Sequence, residues 1–123
     1  MNVLLWVLQV LLAVAFFAHG WLFLAPPANM VEELSVFPAP FRIFLGTAEV
    51  LAAIGLTLPA VTRVMPWLVS WAAAGLMIVM LGAITLHIGR GEVGPSITTT
   101  VLLVMLTVVA YMRWKVKPIP PRA

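Results

Sequence analysis

Residues 41–59 read FRIFLGTAEVLAAIGLTLP, an apolar run that is interrupted by one carboxylate, Glu49. The run is close to the roughly 20 residues that a helix needs to cross a bilayer. An ionised side chain in hydrocarbon is costly, so Glu49 needs a group at the same depth that neutralises or uses it. This stretch therefore predicts a membrane helix with a polar site inside it.

The composition of the whole chain leads to the same class of protein. Of its 123 residues, 63% are hydrophobic and 9% are charged, and the mean hydropathy is +1.14. A soluble domain of this size needs more polar residues to cover its surface. Cysteine is absent, which excludes disulfides, thiol catalysis and cysteine-ligated clusters.

Proline and glycine divide the chain into apolar runs that predict the membrane spans. The spans are residues 2–25, 41–58, 65–88 and 95–112, with breaks at Pro26 and Pro27, at Pro38 and Pro40, at Pro59 and at residues 89–95. The first run is too long for a signal-peptide core and no basic residue precedes it, which favours a retained span. We predict one all-α domain over residues 1–123, an integral membrane four-helix bundle. Its last residues, 113–123, form a basic cytoplasmic tail.

A short helix is expected between the first two spans. Asn29 and Glu32 have the spacing of a capping box, and Met30, Val31 and Leu34 give the segment an apolar side. We predict that this interfacial helix lies across the outer mouth of the bundle.

The basic residues predict the orientation. With four spans, one side of the membrane carries five basic residues and the other carries two; these are Arg63, Arg113, Lys115, Lys117 and Arg122, against Arg42 and Arg90. The positive-inside rule places both termini in the cytoplasm, which corresponds to a multi-pass protein of the bacterial inner membrane. Basic residues beside a span attract anionic lipid headgroups, so the positive charge indicates a bilayer surface and not nucleic acid.

The candidate site lies around Glu49. On the roughly 3.6-residue helical period, Arg42, Gly46, Glu49 and Ala53 share one stripe, and the small residues mark it as facing the bundle. Arg42 is long enough to lean toward Glu49 or to reach it through a water. His19 lies about 9 Å below the outer end of the first span and Glu49 about 12 Å below that of the second, so they are nearly level.

The third span adds two further candidates near the outer surface, His87 and Arg90, which share a face. The predicted ligand-binding residues are therefore Glu49, His19, Arg42, His87 and Arg90, and no metal site and no catalytic residue is assigned. Gly75, Gly82 and Gly89 recur every seven residues on this span, which predicts close helix packing there. The competing interpretation of Glu49 is a structural brace between helices.

Three stretches carry a family resemblance: FFAHGW, the run at residues 41–59, and PWLVSWAAAGLMIVMLGAITLHIGRGE. The most specific parts are the G-x-x-E-x-x-x-x-x-G-L core that begins at Gly46 and the H-x-x-R-G-E motif that begins at His87. The chain resembles the DoxX-like group of small bacterial membrane proteins. The resemblance implies a four-helix membrane bundle, often associated with oxidoreductases of the respiratory quinone pool; its animal relatives include a receptor-assembly chaperone.

Several functions stay open on these grounds. The first is an accessory subunit, at most part of a quinone-linked oxidoreductase, that binds a quinone or another small apolar molecule in the polar pocket, with no covalently bound cofactor. The alternative is an assembly factor that engages a membrane protein partner or a second copy. A haem site between His19 and His87 is less favoured, because the two histidines differ in depth. A proton-coupled exporter is less favoured because the glutamate lies on the second span, whereas such exporters carry it on the first.

Overall fold

The computed structural model describes residues 2–30 and 38–120. Within these residues the chain forms long helices and no strand. The helices are α1, Asn2–Leu24; α2, Ala39–Thr62; α3, Leu68–Gly89; and α4, Val93–Tyr111. All four are long and apolar enough to cross a bilayer. The predicted all-α membrane bundle is confirmed.

The prolines of α2 mark its start as predicted but not its end. α2 begins directly after Pro38, with Pro40 in its first turn, where a missing N–H is tolerated. Pro59 was expected to end this helix, but it lies inside α2, which continues to Thr62. Membrane bundles accept an internal proline because neighbouring helices and side chains compensate for the lost backbone hydrogen bond.

The connection between α2 and α3 is set by backbone geometry. Arg63 and Met65 adopt left-handed conformations, with φ of 57° and 50°. A residue in this region ends a helix and reverses the chain. α3 consequently begins at Leu68 and not at residue 65.

The end of α4 also differs from the expectation. A π-helical turn, Met112–Val116, continues the helix, so the predicted basic tail begins within helical structure. Arg113 is buried there, with 5% of its surface exposed. The expected interfacial helix is not confirmed: Ala28–Met30 forms a single 3-10 turn, and residues 31–37 lie outside the described residues.

We call the end that holds Asn2, the α2–α3 connection and the π-helical turn the terminal end, and the opposite end the far end. α1 packs mainly on α2, and α3 mainly on α4. The apolar core that joins the two pairs lies in the middle and toward the terminal end; its largest members include Leu12, Phe16, Leu56, Leu76 and Leu106. At the far end, no residue of α3 from position 81 to 89 is buried.

The glycines divide into two groups with different surroundings. A Cβ at Gly20 would lie 2.8 Å from the carbonyl oxygen of Gly46, so α1 and α2 touch through their backbones. A Cβ at Gly75, Gly82 or Gly89 would meet nothing within 4 Å among the described residues. The close packing expected at the second group is therefore not found among the described residues, and the close approach lies instead on α1 and α2.

Candidate functional site

The central polar contact joins α1 to α2 through His19 and Glu49. The Nδ1 atom of His19 lies 2.9 Å from Oε2 and 3.1 Å from Oε1 of the Glu49 carboxylate. The two side chains are thus level in the bundle, as their distances from the helix ends predicted. Glu49 is buried, with 1% of its surface exposed, whereas the His19 side chain is 52% exposed.

Small residues beside the pair explain why it can form. Gly20 follows His19 on α1, and Gly46 lies one turn from Glu49 on α2. A Cβ on either glycine would come within 2.8 Å of the other's carbonyl oxygen. Because real Cβ atoms do not approach so closely, only glycine at both positions lets the helix backbones come near enough for the short pair.

The exposed side of His19 gives the pair its chemical interest. Nδ1 faces the carboxylate, and Nε2 makes no hydrogen bond to any of the residues that the structure describes. The imidazole ring also packs against Phe23, with ring centroids 4.7 Å apart and an angle of 37° between the planes. The exposed edge lies within a helix that is long and apolar enough to cross a bilayer.

Arg42 takes a different partner from the one expected. Its guanidinium Nη1 donates to the backbone carbonyl of Phe23, and the ion pair of Glu49 is with His19. Among the described contacts Arg42 does not pair directly with Glu49, and the bridge through a water stays a prediction. Arg42 still borders the site, because Phe23 connects the two: its carbonyl binds Arg42 and its ring lies against His19.

The other two predicted residues belong to a second cluster at the far end. His87 Nδ1 lies 2.9 Å from Glu92 Oε1, and Arg90 Nε lies 3.9 Å from the same oxygen. The shared face predicted for His87 and Arg90 is confirmed, but their carboxylate is Glu92 and not Glu49. The hydrogen bond from His87, with a smaller effect of the Arg90 charge, holds the pKa of Glu92 below its ordinary value of 4.5.

A third polar contact joins α1, α2 and the π-helical turn. Gln9 Nε2 donates to the backbone carbonyl of Leu56 at 2.7 Å. Its Oε1 in turn accepts from Arg113 Nε at 2.7 Å. Arg113 was assigned to the tail, yet it continues the buried stripe of Leu106 and Val109 at helical spacing. That periodicity was the signal for its burial.

Across residues 2–30 and 38–120, no group of three or more histidine, aspartate or glutamate side chains is placed to hold a metal ion. The His19–Glu49 pair can instead accept or donate single protons and hydrogen bonds.

Comparison with known proteins bears on the whole bundle. No curated protein and no solved structure is significantly similar to the chain. The model of the DoxX-like family matches residues 7–110, which include all but the first turn of α1 and nearly all of α4. The match covers His19, Glu49 and both of their helices. This chain is therefore a member of the DoxX-like family of membrane proteins.

Proposed function

We propose that this membrane protein binds a small apolar molecule with a hydrogen-bonding oxygen, a quinone or quinol in the first instance, at the His19–Glu49 pair. In this role it is an accessory subunit of a membrane oxidoreductase. The observation that carries the proposal is the asymmetry of the pair, since Glu49 is fully buried while the His19 side chain is 52% exposed.

A purely structural brace predicts a different arrangement. A buried ion pair stabilises a protein only when its remaining polar atoms are also satisfied. A brace would therefore enclose both partners between helices, whereas the imidazole edge here is turned toward the outside of the bundle. A polar nitrogen at hydrocarbon depth is unfavourable unless some other molecule hydrogen-bonds to it.

The hydrogen-bond donors and acceptors of the pair suit both a quinone and a quinol. An ionised Glu49 can only accept, so a neutral His19 donates Nδ1–H to it and presents Nε2 as an acceptor, which fits a quinol hydroxyl. A protonated His19 presents Nε2–H as a donor, which fits a quinone carbonyl. One proton on the pair thus distinguishes the reduced from the oxidised ligand.

The neighbouring aromatic ring supports an apolar ligand. Phe23 lies against His19 and offers a flat apolar surface next to the polar nitrogen. Arg42 holds the Phe23 carbonyl, which ties the position of this ring to the start of α2. A ring-shaped molecule can therefore stack on Phe23 while its oxygen reaches Nε2.

The test is binding of a decyl-substituted benzoquinone, and of its quinol, to the protein purified in mild detergent. Glu49→Gln keeps the shape of the side chain, so we expect it to fold and to lose the ligand. His19→Ala removes the Nε2 atom that the ligand contacts, so it should lose the ligand as well. The matched control is His87→Ala, which removes the other histidine and should bind as the wild type does.

Thermal stability is measured in parallel, and mass spectrometry identifies quinones, lipids and proteins that co-purify. Full retention of the ligand by Glu49→Gln would overturn the proposal. If Glu49→Gln unfolds, His19→Phe replaces it in the test, because this exposed ring can change without emptying the core. Loss of the quinone by His19→Phe would support the proposal, and full retention would overturn it. A co-purifying membrane protein that is lost with Glu49→Gln, in the absence of any bound quinone, would favour the assembly-factor alternative.

A further inference from the structure

The terminal end carries a pocket that the proposed function does not use. It has a volume of about 380 Å³ and lies between the start of α3 and the π-helical turn. Its lining includes Arg113, Ser70, Trp67, Trp71, Trp114 and Ile119. We propose that this pocket binds the phosphate headgroup of an anionic phospholipid.

The cationic group of the pocket is held in a defined position. Arg113 Nε donates to Gln9 Oε1 at 2.7 Å, and Nη1 donates to the backbone carbonyl of Lys117 at 3.0 Å. The guanidinium carbon also lies 5.8 Å from the ring centroid of Trp6. These contacts fix the orientation of the guanidinium before any ligand arrives, which favours its attraction to phosphate oxygens.

The rest of the lining matches the interfacial zone of a bilayer. Trp71 and Trp114 pack with ring centroids 6.0 Å apart and an angle of 54° between their planes, and Trp67 completes the aromatic wall. Tryptophan concentrates at the level of the lipid headgroups, so the pocket lies where a phosphate is found. The buried Ser70 adds a hydroxyl, and Ile119 adds apolar surface beside the polar groups.

The charge around the pocket favours an anion. Arg63, Lys115 and Lys117 are exposed at the same end of the bundle. The carboxylates of the described residues, Glu49 and Glu92, are each paired with a histidine on other parts of the bundle. Basic pockets between spans attract anionic headgroups, and the aromatic wall favours a lipid over free phosphate.

The experiment is native mass spectrometry of the full chain released from detergent, with phosphatidylglycerol or phosphatidylcholine added. We expect one phosphatidylglycerol per chain and at least tenfold weaker retention of phosphatidylcholine. Ser70→Phe fills the pocket without changing a charge, and Arg113→Gln removes the cation; each should weaken phosphatidylglycerol binding about tenfold or more. Lys115→Gln removes the same charge outside the lining and should weaken binding much less than Arg113→Gln does.

Equal retention of the two lipids would overturn the proposal, and so would wild-type binding by Ser70→Phe. An equal loss in Lys115→Gln and Arg113→Gln would also overturn it, because general surface charge would then explain the affinity. Inorganic phosphate serves as a competitor, and displacement of the lipid by phosphate at low concentration would assign the site to the free anion. If Arg113→Gln fails to fold, Ser70→Phe carries the test, with its melting temperature as the control for folding.

Discussion

Gly20 and Gly46 bring the backbones of α1 and α2 into direct contact. A Cβ added to either residue would lie 2.8 Å from the carbonyl oxygen of the other. His19 and Glu49 lie beside this contact and form their 2.9 Å pair there. The spacing of two backbones therefore determines the geometry of the central polar site.

Substitution of either glycine by alanine is expected to separate the two helices. Gly20→Ala and Gly46→Ala each insert a methyl group where no space exists, and we expect a loss of about 1–3 kcal/mol in the free energy of unfolding. The His19–Glu49 contact should lengthen as well. Melting temperature in detergent measures the first effect, and the imidazole NMR signal of His19 reports the second.

Gly82→Ala is the matched control, since a Cβ at Gly82 meets nothing within 4 Å among the described residues. Its stability should stay within about 1 kcal/mol of the wild type, with any change toward greater stability from the higher helix propensity of alanine. Equal destabilisation by Gly82→Ala and Gly20→Ala would show that the α1–α2 contact is not the tight point.

The second prediction concerns Gln9, which bridges Leu56 and Arg113 and has 0% of its surface exposed. Gln9→Leu leaves a buried carbonyl and a guanidinium without this partner, so we expect a loss of about 1–3 kcal/mol in unfolding free energy. Gln9→Glu keeps an acceptor for Arg113 but cannot donate to Leu56, so its stability should fall between that of the wild type and that of Gln9→Leu.

Thr107→Val is the control for Gln9. This exposed hydroxyl donates to the Leu103 carbonyl of its own helix at 2.8 Å, so its removal breaks no contact between helices. Denaturant titration in detergent gives the comparison. A Gln9→Leu protein as stable as Thr107→Val would contradict the bridging role.

The third prediction is a pH dependence at the far end. The hydrogen bond from His87, with the charge of Arg90, lowers the pKa of Glu92 below 4.5. A carboxyl with a lowered folded pKa stabilises the protein above its unfolded pKa, and this contribution is lost as the pH falls through the folded value. The melting temperature of the wild type should therefore exceed that of Glu92→Gln at about pH 6, and this difference should shrink as the pH falls below 4.5.

A double-mutant cycle with His87→Ala identifies the partner. In the His87→Ala background, Glu92→Gln should have a clearly smaller effect, because the principal partner of the carboxylate is already gone. A difference between wild type and Glu92→Gln that stays unchanged as the pH falls well below 4.5 would rule out the carboxylate as its source.

The fourth prediction is the orientation of the bundle. Among the described residues the terminal end carries four basic residues and the far end carries two, Arg42 and Arg90. A reporter fused after Ala123 should therefore be active as a cytoplasmic marker. A reporter that works only in the periplasm should be inactive at the same position. Activity of the periplasmic reporter would invert the assignment and place the far end in the cytoplasm.

Much of the architecture follows from local properties of the sequence. A span must be about 20 residues long and apolar, and this condition is met or broken within one segment. The burial of Gly46, Glu49 and Ala53 follows in the same way from the helical period of α2. The depth of His19 follows from its distance to the end of α1. Each of these features depends on one helix and its bilayer.

Only the tertiary structure decided which polar groups meet. Glu49 pairs with His19 while Arg42 binds the Phe23 carbonyl, and His87 and Arg90 turn to Glu92. These choices depend on how far each helix is rotated and shifted against its neighbours, and that is set by contacts between residues distant in sequence, such as Gly20 with Gly46. Gly75 and Gly82 have the same local character as those two glycines but lie on an open face. A single sequence shows which residues lie on one stripe of a helix, whereas the packing of whole helices determines what that stripe faces.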